Sequence, residues 1–110
     1  MIFVVTDQEH GRREELATLL ISAFPGSTVY QHASLANASG DVLHRRVDAL
    51  LAADEHGNSA QLMQMLQKQR PELPVLLLSD IEEIGYGHLP QTVVGQKLRS
   101  FLLTANAEGG

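Results

Sequence analysis

Oxygen-bearing side chains directly follow three apolar runs of the sequence. They are Thr6 and Asp7 after residues 1–5, Asp54 and Glu55 after residues 47–53, and Ser79 and Asp80 after residues 74–78. Several carboxylates near one hydroxyl can hold Mg²⁺, which prefers oxygen ligands and commonly combines carboxylates with water and phosphate. Aspartate at the end of a strand also caps helices and favours turns. The residue types therefore leave a metal site and a purely structural role open.

The elements that must position these residues alternate between strands and helices. Apolar runs typical of buried strands occupy residues 1–5, 47–53 and 74–78, and residues 27–32 predict a short second strand between the first two. Apolar residues at helical spacing predict helices over residues 11–24, 59–70 and from 92 onwards, with a weaker helical turn near 42–46. This alternation predicts a doubly wound, three-layer α/β domain with a parallel sheet. Ligands bind beyond the carboxyl ends of the strands in such sheets, where the three polar pairs should converge.

Composition narrows the class of protein. The 110 residues fit one domain, which we expect to span residues 1–104, with a tail or linker over 105–110. A net charge of −5 without clustered Lys and Arg argues against direct nucleic-acid binding. The absence of cysteine excludes disulfides and thiolate chemistry. The first apolar run is far shorter than the ~20 residues of a membrane span, so we expect a cytoplasmic protein that does not bind membranes.

The order of the elements and three short motifs resemble the receiver domains of bacterial response regulators, the CheY-like family. The motifs are Val4-Val5-Thr6-Asp7 at the end of the first strand, residues 50–54 at the end of the third, and residues 73–79 through the fourth. The resemblance spans residues 1–103 and implies a flavodoxin-like sheet of about five strands. It also implies the chemistry of the family, in which a histidine kinase phosphorylates an aspartate at the end of the third strand with the help of Mg²⁺.

Compared position by position, only part of the family's phosphorylation site is present. Receiver domains have an acidic pair after the first strand, and here Thr6 replaces the first acid while Asp7 keeps the second. Ser79 keeps the hydroxyl at the end of the fourth strand. Leu89 and Pro90 stand in place of the family's Lys-Pro pair at the fifth strand. The cation that would neutralise a phosphoryl group is therefore missing.

The phosphoacceptor position has two possible registers. Anchoring the motif on Asp48, which resembles an acid five places earlier in the family pattern, puts Ala53 at the acceptor position. Anchoring it on the end of the apolar run puts Asp54 there instead. The two differ physically, because a slip of one residue moves a side chain to the opposite face of a sheet. Both registers stay open.

The segment between Ser79 and Pro90 is unusually short for the family. Its ten residues, 80–89, are too few for both a full fourth helix and a fifth strand. We therefore expect the fourth helix to be shortened or missing.

These departures favour a non-enzymatic pseudo-receiver that uses no cofactor. On this hypothesis the chain is the N-terminal signalling or dimerisation domain of a bacterial transcription regulator, and it contacts a protein partner, an output domain or a second copy of itself. The alternative is a working receiver of a two-component system, phosphorylated on Asp54 with Mg²⁺ held by Asp7 and Asp54. A third class, a small enzyme or ligand-binding protein of flavodoxin-like layout, requires a pocket at the same edge of the sheet.

Overall fold

The computed structural model describes residues 1–53 and 59–109 of the chain. In chain order, the elements are β1 (Ile2–Thr6), α1 (His10–Ala23), β2 (Thr28–His32), α2 (Leu35–His44), β3 (Ala49–Ala52), α3 (Ser59–Gln69), β4 (Val75–Leu77), α4 (Leu78–Ile84) and α5 (Gln91–Gly109). Asp54, the candidate phosphoacceptor, lies outside the described residues. Within the described ranges, none of the helices is long and apolar enough to cross a membrane.

The four strands form one parallel sheet in the order β2-β1-β3-β4. At the end of β1, Thr6 pairs with His32 of β2 on one side and with Ala52 of β3 on the other, so these three strands end level with one another. Helices α1 and α5 pack on one face of the sheet, and α2 and α3 pack on the other. The predicted α/β class, the parallel sheet and the helices on both faces are confirmed.

The central strands are buried on both faces, as their continuous apolar runs indicate. Phe3, Val4 and Val5 of β1 are completely buried. Phe3 and Val5 pack among residues of α1 and α5, whereas Val4 packs among residues of α2 and α3. Each such side chain contributes about 1.5–3 kcal/mol when it is fully buried. Hydrophobic burial therefore fixes the sheet, and the sheet in turn places the polar residues at its strand ends.

The prediction of about five strands, with the last at Leu89-Pro90, is wrong, because the described residues form four strands. Helix α4 is present with seven residues and follows β4 without a loop. A turn with positive φ at Gly85 and Gly87 then leads towards α5. The carbonyl of Pro90 accepts the first backbone hydrogen bonds of α5, so this proline begins a helix. A short helix and a turn use up the segment, and no residues remain for a strand.

Helix α2 is longer than the sequence pattern predicts, since it spans Leu35–His44 rather than a single turn near residues 42–46. Its first turn is capped by Ser34, whose side chain accepts a hydrogen bond from the N–H of Asn37 at 3.2 Å. One side of the helix is buried against the sheet, through Leu35, Ala38 and Val42. This burial outweighs the weak helix propensity of the small polar residues between them.

Helix α5 extends to Gly109. It therefore continues through residues 105–109, which the sequence predicts as a tail or linker. The use of this segment as a linker stays a prediction.

The turn that replaces the fifth strand depends on Gly85, which has a φ of +113° and leaves no room for a side chain. A Cβ atom at this position would lie 2.5 Å from Cδ1 of Leu89. We expect Gly85→Ala to lower the free energy of unfolding by about 1–3 kcal/mol, because it strains the backbone and displaces Leu89.

The matched control is Gly87→Ala. Gly87 also has a positive φ, +88°, but an added Cβ would meet no atom within 4 Å. We expect a loss of about 1 kcal/mol from the backbone conformation alone. Urea unfolding measures the free energy of unfolding of both variants. Equal losses would show that a methyl group at residue 85 does not clash with Leu89.

Candidate functional site

The carboxyl ends of β1, β2 and β3 meet at one edge of the sheet, which we call the carboxyl edge. The N–H of Asp7 donates to the carbonyl of His32 at 3.1 Å, and the N–H of Ala53 donates to the carbonyl of Thr6 at 2.9 Å. These two hydrogen bonds continue the strand pairing beyond the ends of the strands. The structure thus brings Thr6, Asp7 and Ala53 together at the place where α/β sheets bind ligands.

Asp7 is the only carboxylate among the fully buried polar side chains of the described residues, with 1% of its surface exposed. Its Oδ1 accepts hydrogen bonds from the backbone N–H of Glu9 and from Nη2 of Arg12, both at 2.9 Å. Its Oδ2 accepts a hydrogen bond from Nε of Arg12. Arg12 therefore binds the carboxylate through two parallel N–H groups, which is the strongest form of the arginine–carboxylate pair.

The surroundings of Asp7 keep its carboxylate ionised. Burial alone would raise the pKa of Asp7, but the hydrogen bonds from Arg12 and from the Glu9 amide, together with the charges of Arg12 and Arg13, lower it below its ordinary value. The hydrogen bond to Asp7 in turn raises the pKa of Arg12. Nη1 of Arg13 also donates to the backbone carbonyl of Asp7 at 2.9 Å. The pair is therefore a permanent ion pair at neutral pH.

The described residues of the carboxyl edge, Thr6, Asp7 and Ala53, do not fit Mg²⁺. Both oxygens of Asp7 already accept hydrogen bonds, and a cationic side chain occupies the space in front of them. Thr6 is neutral, and its buried Oγ1 has no hydrogen-bond partner in the described part of the chain. The described residues also contain no group of three or more His, Asp or Glu side chains that could hold a metal ion.

Ser79 lies elsewhere than the sequence predicts. We predict it at the end of the fourth strand, but β4 ends at Leu77, and Ser79 is an exposed residue in the first turn of α4. The helix begins directly after the strand and takes up the position where a loop would have carried the hydroxyl. Ser79 therefore does not continue β4 in the way that Asp7 continues β1.

The sequence pattern does not point to three side chains near Asp7. In the sequence Arg12 is only one residue of the helix predicted over residues 11–24, and its spacing from Asp7 does not by itself predict the pair. The other two, Glu15 and Tyr86, join α1 to the turn that replaces the fifth strand, because the Tyr86 hydroxyl donates to Oε2 of Glu15 at 2.9 Å. Burial and this hydrogen bond raise the pKa of Tyr86 to about 12.

A second polar cluster links β2 to α2 through Asp41. Nε2 of His32 lies 2.7 Å from Oδ2 of Asp41, and Nε of Arg45 lies 2.7 Å from Oδ1. These hydrogen bonds lower the pKa of Asp41. The Arg45 guanidinium also lies over the Tyr30 ring, 5.0 Å from its centroid. This arrangement connects two neighbouring elements, and we interpret it as structural.

A groove of about 250 Å³ lies between the end of α1 and the first turns of α5. Its lining includes Ser22, Thr92, Gln96 and Arg99, and none of the carboxyl-edge residues. A flavodoxin-like ligand-binding protein requires its pocket at the carboxyl edge, so this groove does not support that class of function.

The lowered pKa of Asp7 predicts how the free energy of unfolding changes at acidic pH. Because the pKa is lowered on folding from its ordinary value of 3.8, the stability that this group contributes is complete above the unfolded pKa and is lost as pH falls through the folded pKa. We expect the difference in unfolding free energy between the wild type and Asp7→Asn to shrink between about pH 5 and pH 2. Urea unfolding at several pH values measures it, and a constant difference would contradict the ionised pair.

Comparison with known proteins identifies the fold. No protein-family model matches the sequence, and a search of the curated proteins finds no similar sequence. Among solved structures, the chain is similar to a response regulator receiver domain protein (CheY-like) from Methanospirillum hungatei JF-1, with a TM-score of 0.71 and 13% sequence identity. The alignment covers 97% of this chain and 97% of that chain. The chain therefore has the fold of a response-regulator receiver domain.

Proposed function

We propose that the chain is a pseudo-receiver, a non-enzymatic regulatory module that works through protein contacts rather than through phosphorylation. The ion pair between Asp7 and Arg12 is the observation that carries this proposal. An acid in this place serves phosphoryl transfer by holding a metal, and here both of its oxygens are bound by the protein itself. A receiver-like fold with such a site keeps its architecture but has no free metal ligand at Asp7.

The other parts of the site support the same function. Phosphoryl transfer depends on positioned positive charge and metal, since the protein does little covalent chemistry itself. Thr6 supplies no negative charge for a metal, and Leu89 and Pro90 belong to the connection into α5 and carry no cation. Among the described residues, Arg12 is the only cationic side chain that binds the Asp7 carboxylate, and Asp7 neutralises its charge.

The alternation of side chains along β3 supports Ala53, rather than Asp54, as the residue at the acceptor position. Leu51 packs in the same cluster as Phe3 and Val5, on the side of α1 and α5. Ala53 is two residues further along and has the same parity as Leu51, just as Asp7 has the same parity as Val5. In this register the acceptor is an alanine, which cannot be phosphorylated.

Exposed apolar side chains are available for protein contacts. Leu89, Phe101 and Leu103 are 40%, 50% and 48% exposed. We propose that the chain acts as the N-terminal signalling or dimerisation domain of a cytoplasmic bacterial transcription regulator. It would bind a protein partner, an output domain or a second copy of itself, and the excess of acidic residues disfavours direct contact with nucleic acid.

The second candidate is a working receiver phosphorylated on Asp54. Its support is the fold together with the sequence, in which Asp54 directly follows Ala53. This function requires Asp7 to exchange Arg12 for a metal ion during each phosphorylation.

Phosphorylation with a small-molecule donor separates the two functions. The purified protein is incubated with MgCl₂ and acetyl phosphate, beside an active receiver domain as a positive control, and its intact mass is measured. We expect no gain of a phosphoryl group. A gain that Asp54→Ala abolishes would contradict the pseudo-receiver function and establish the working receiver.

A further inference from the structure

The buried carboxylate of Asp7 needs a positive charge, and the structure supplies it from inside the chain. We infer that Arg12 is a built-in counter-ion that takes the place of a divalent cation at the carboxyl edge and keeps such cations out. The inference deepens the proposed function, because it states which group makes the domain independent of metal. It also predicts that a latent metal site appears when the charge of Arg12 is removed.

The surroundings of Arg12 are those of a bound cation. Its guanidinium lies between two carboxylates, with Asp7 bound through two N–H groups and Oε2 of Glu9 at 3.6 Å from Nη1. The Asp7 carboxylate is 1% exposed, whereas the Arg12 side chain, which donates to both of its oxygens, is 37% exposed. Removing the Arg12 side chain would therefore uncover the Asp7 carboxylate and leave two acids without their shared cation.

An ordinary structural ion pair and a built-in counter-ion predict different responses to metal. If Arg12 only connects α1 to the end of β1, its loss lowers stability and a divalent cation does not restore it. If Arg12 stands in for a cation, a divalent cation compensates for the lost charge and stabilises the folded state by binding to it. The response of the melting temperature to metal therefore separates the two roles.

The experiment compares the wild type with Arg12→Ala in MnCl₂ and in MgCl₂, against NaCl at matched ionic strength. We expect the divalent salts to raise the melting temperature of Arg12→Ala by several degrees and to leave the wild type unchanged. The double variant Asp7→Asn with Arg12→Ala should lose the response, because the buried ligand is gone. Mn²⁺ binding is measured in parallel by electron paramagnetic resonance.

Two further variants control for charge and position. Arg12→Lys keeps the positive charge, so we expect it to respond to Mn²⁺ much less than Arg12→Ala. Arg99→Ala removes another helical arginine, which donates to the backbone carbonyl of Ala23 rather than to a carboxylate, and it should not respond. An Arg12→Lys response equal to that of Arg12→Ala would contradict the counter-ion role.

The inference is overturned if Arg12→Ala shows no response to either divalent cation, or if the wild type responds equally. Should Arg12→Ala be unfolded after purification, the same MnCl₂ titration is followed by circular dichroism, and a failure to recover the helical signal has the same meaning. Failure here is distinct from failure of the proposed function. Phosphorylation of the wild type on Asp54 would remove the pseudo-receiver function, whereas a metal-insensitive Arg12→Ala would remove only the counter-ion.

Discussion

A carboxylate that is almost completely buried at the end of the central strand must be neutralised, and this requirement shapes the rest of the carboxyl edge. An ionised side chain without a partner is very costly in such a place. Arg12 meets the requirement from the first turns of α1, with a planar fork that matches both oxygens of Asp7. The N–H of Glu9 adds a third hydrogen bond, so that Asp7 also positions the start of the helix.

Neighbouring elements depend on the same arrangement. Helix α1 is held at its start by the Asp7 pair and further along by the hydrogen bond from Tyr86 to Glu15. Tyr86 belongs to the turn that stands where the sequence predicts a fifth strand. The turn that stands in place of a fifth strand and the internal pairing of Asp7 are thus linked through helix α1.

Much of the fold can be predicted from the sequence, because a strand that is buried on both faces consists of a continuous run of apolar residues. The run from Ile2 to Val5 has no polar residue and therefore predicts a central parallel strand. The segment around residues 80–90 is not predictable in the same way, since its length permits either a strand or a helix and a turn. Helix α2 is also underestimated, because tertiary packing of its buried stripe outweighs its weak propensity.

The candidate site is predictable only in part, for a related reason. Strand ends can be located from apolar runs, and so Thr6 and Asp7 are found. The pairing of Asp7 with Arg12 depends on the angle at which α1 leaves the sheet, and apolar spacing does not fix that angle. The sequence pattern does not predict the position of Ser79, because β4 passes directly into a helix. The choice between Ala53 and Asp54 depends on a shift of one residue in the register of β3.

A double-mutant cycle on Asp7 and Arg12 tests the central claim most directly. The free energies of unfolding of the wild type, Asp7→Asn, Arg12→Ala and the double variant are measured in urea at neutral pH. If Arg12 neutralises the buried Asp7 carboxylate, the two substitutions are strongly coupled, with an interaction energy above about 1 kcal/mol. Effects that add to within about 0.3 kcal/mol would contradict it, because they would show that the two side chains act independently.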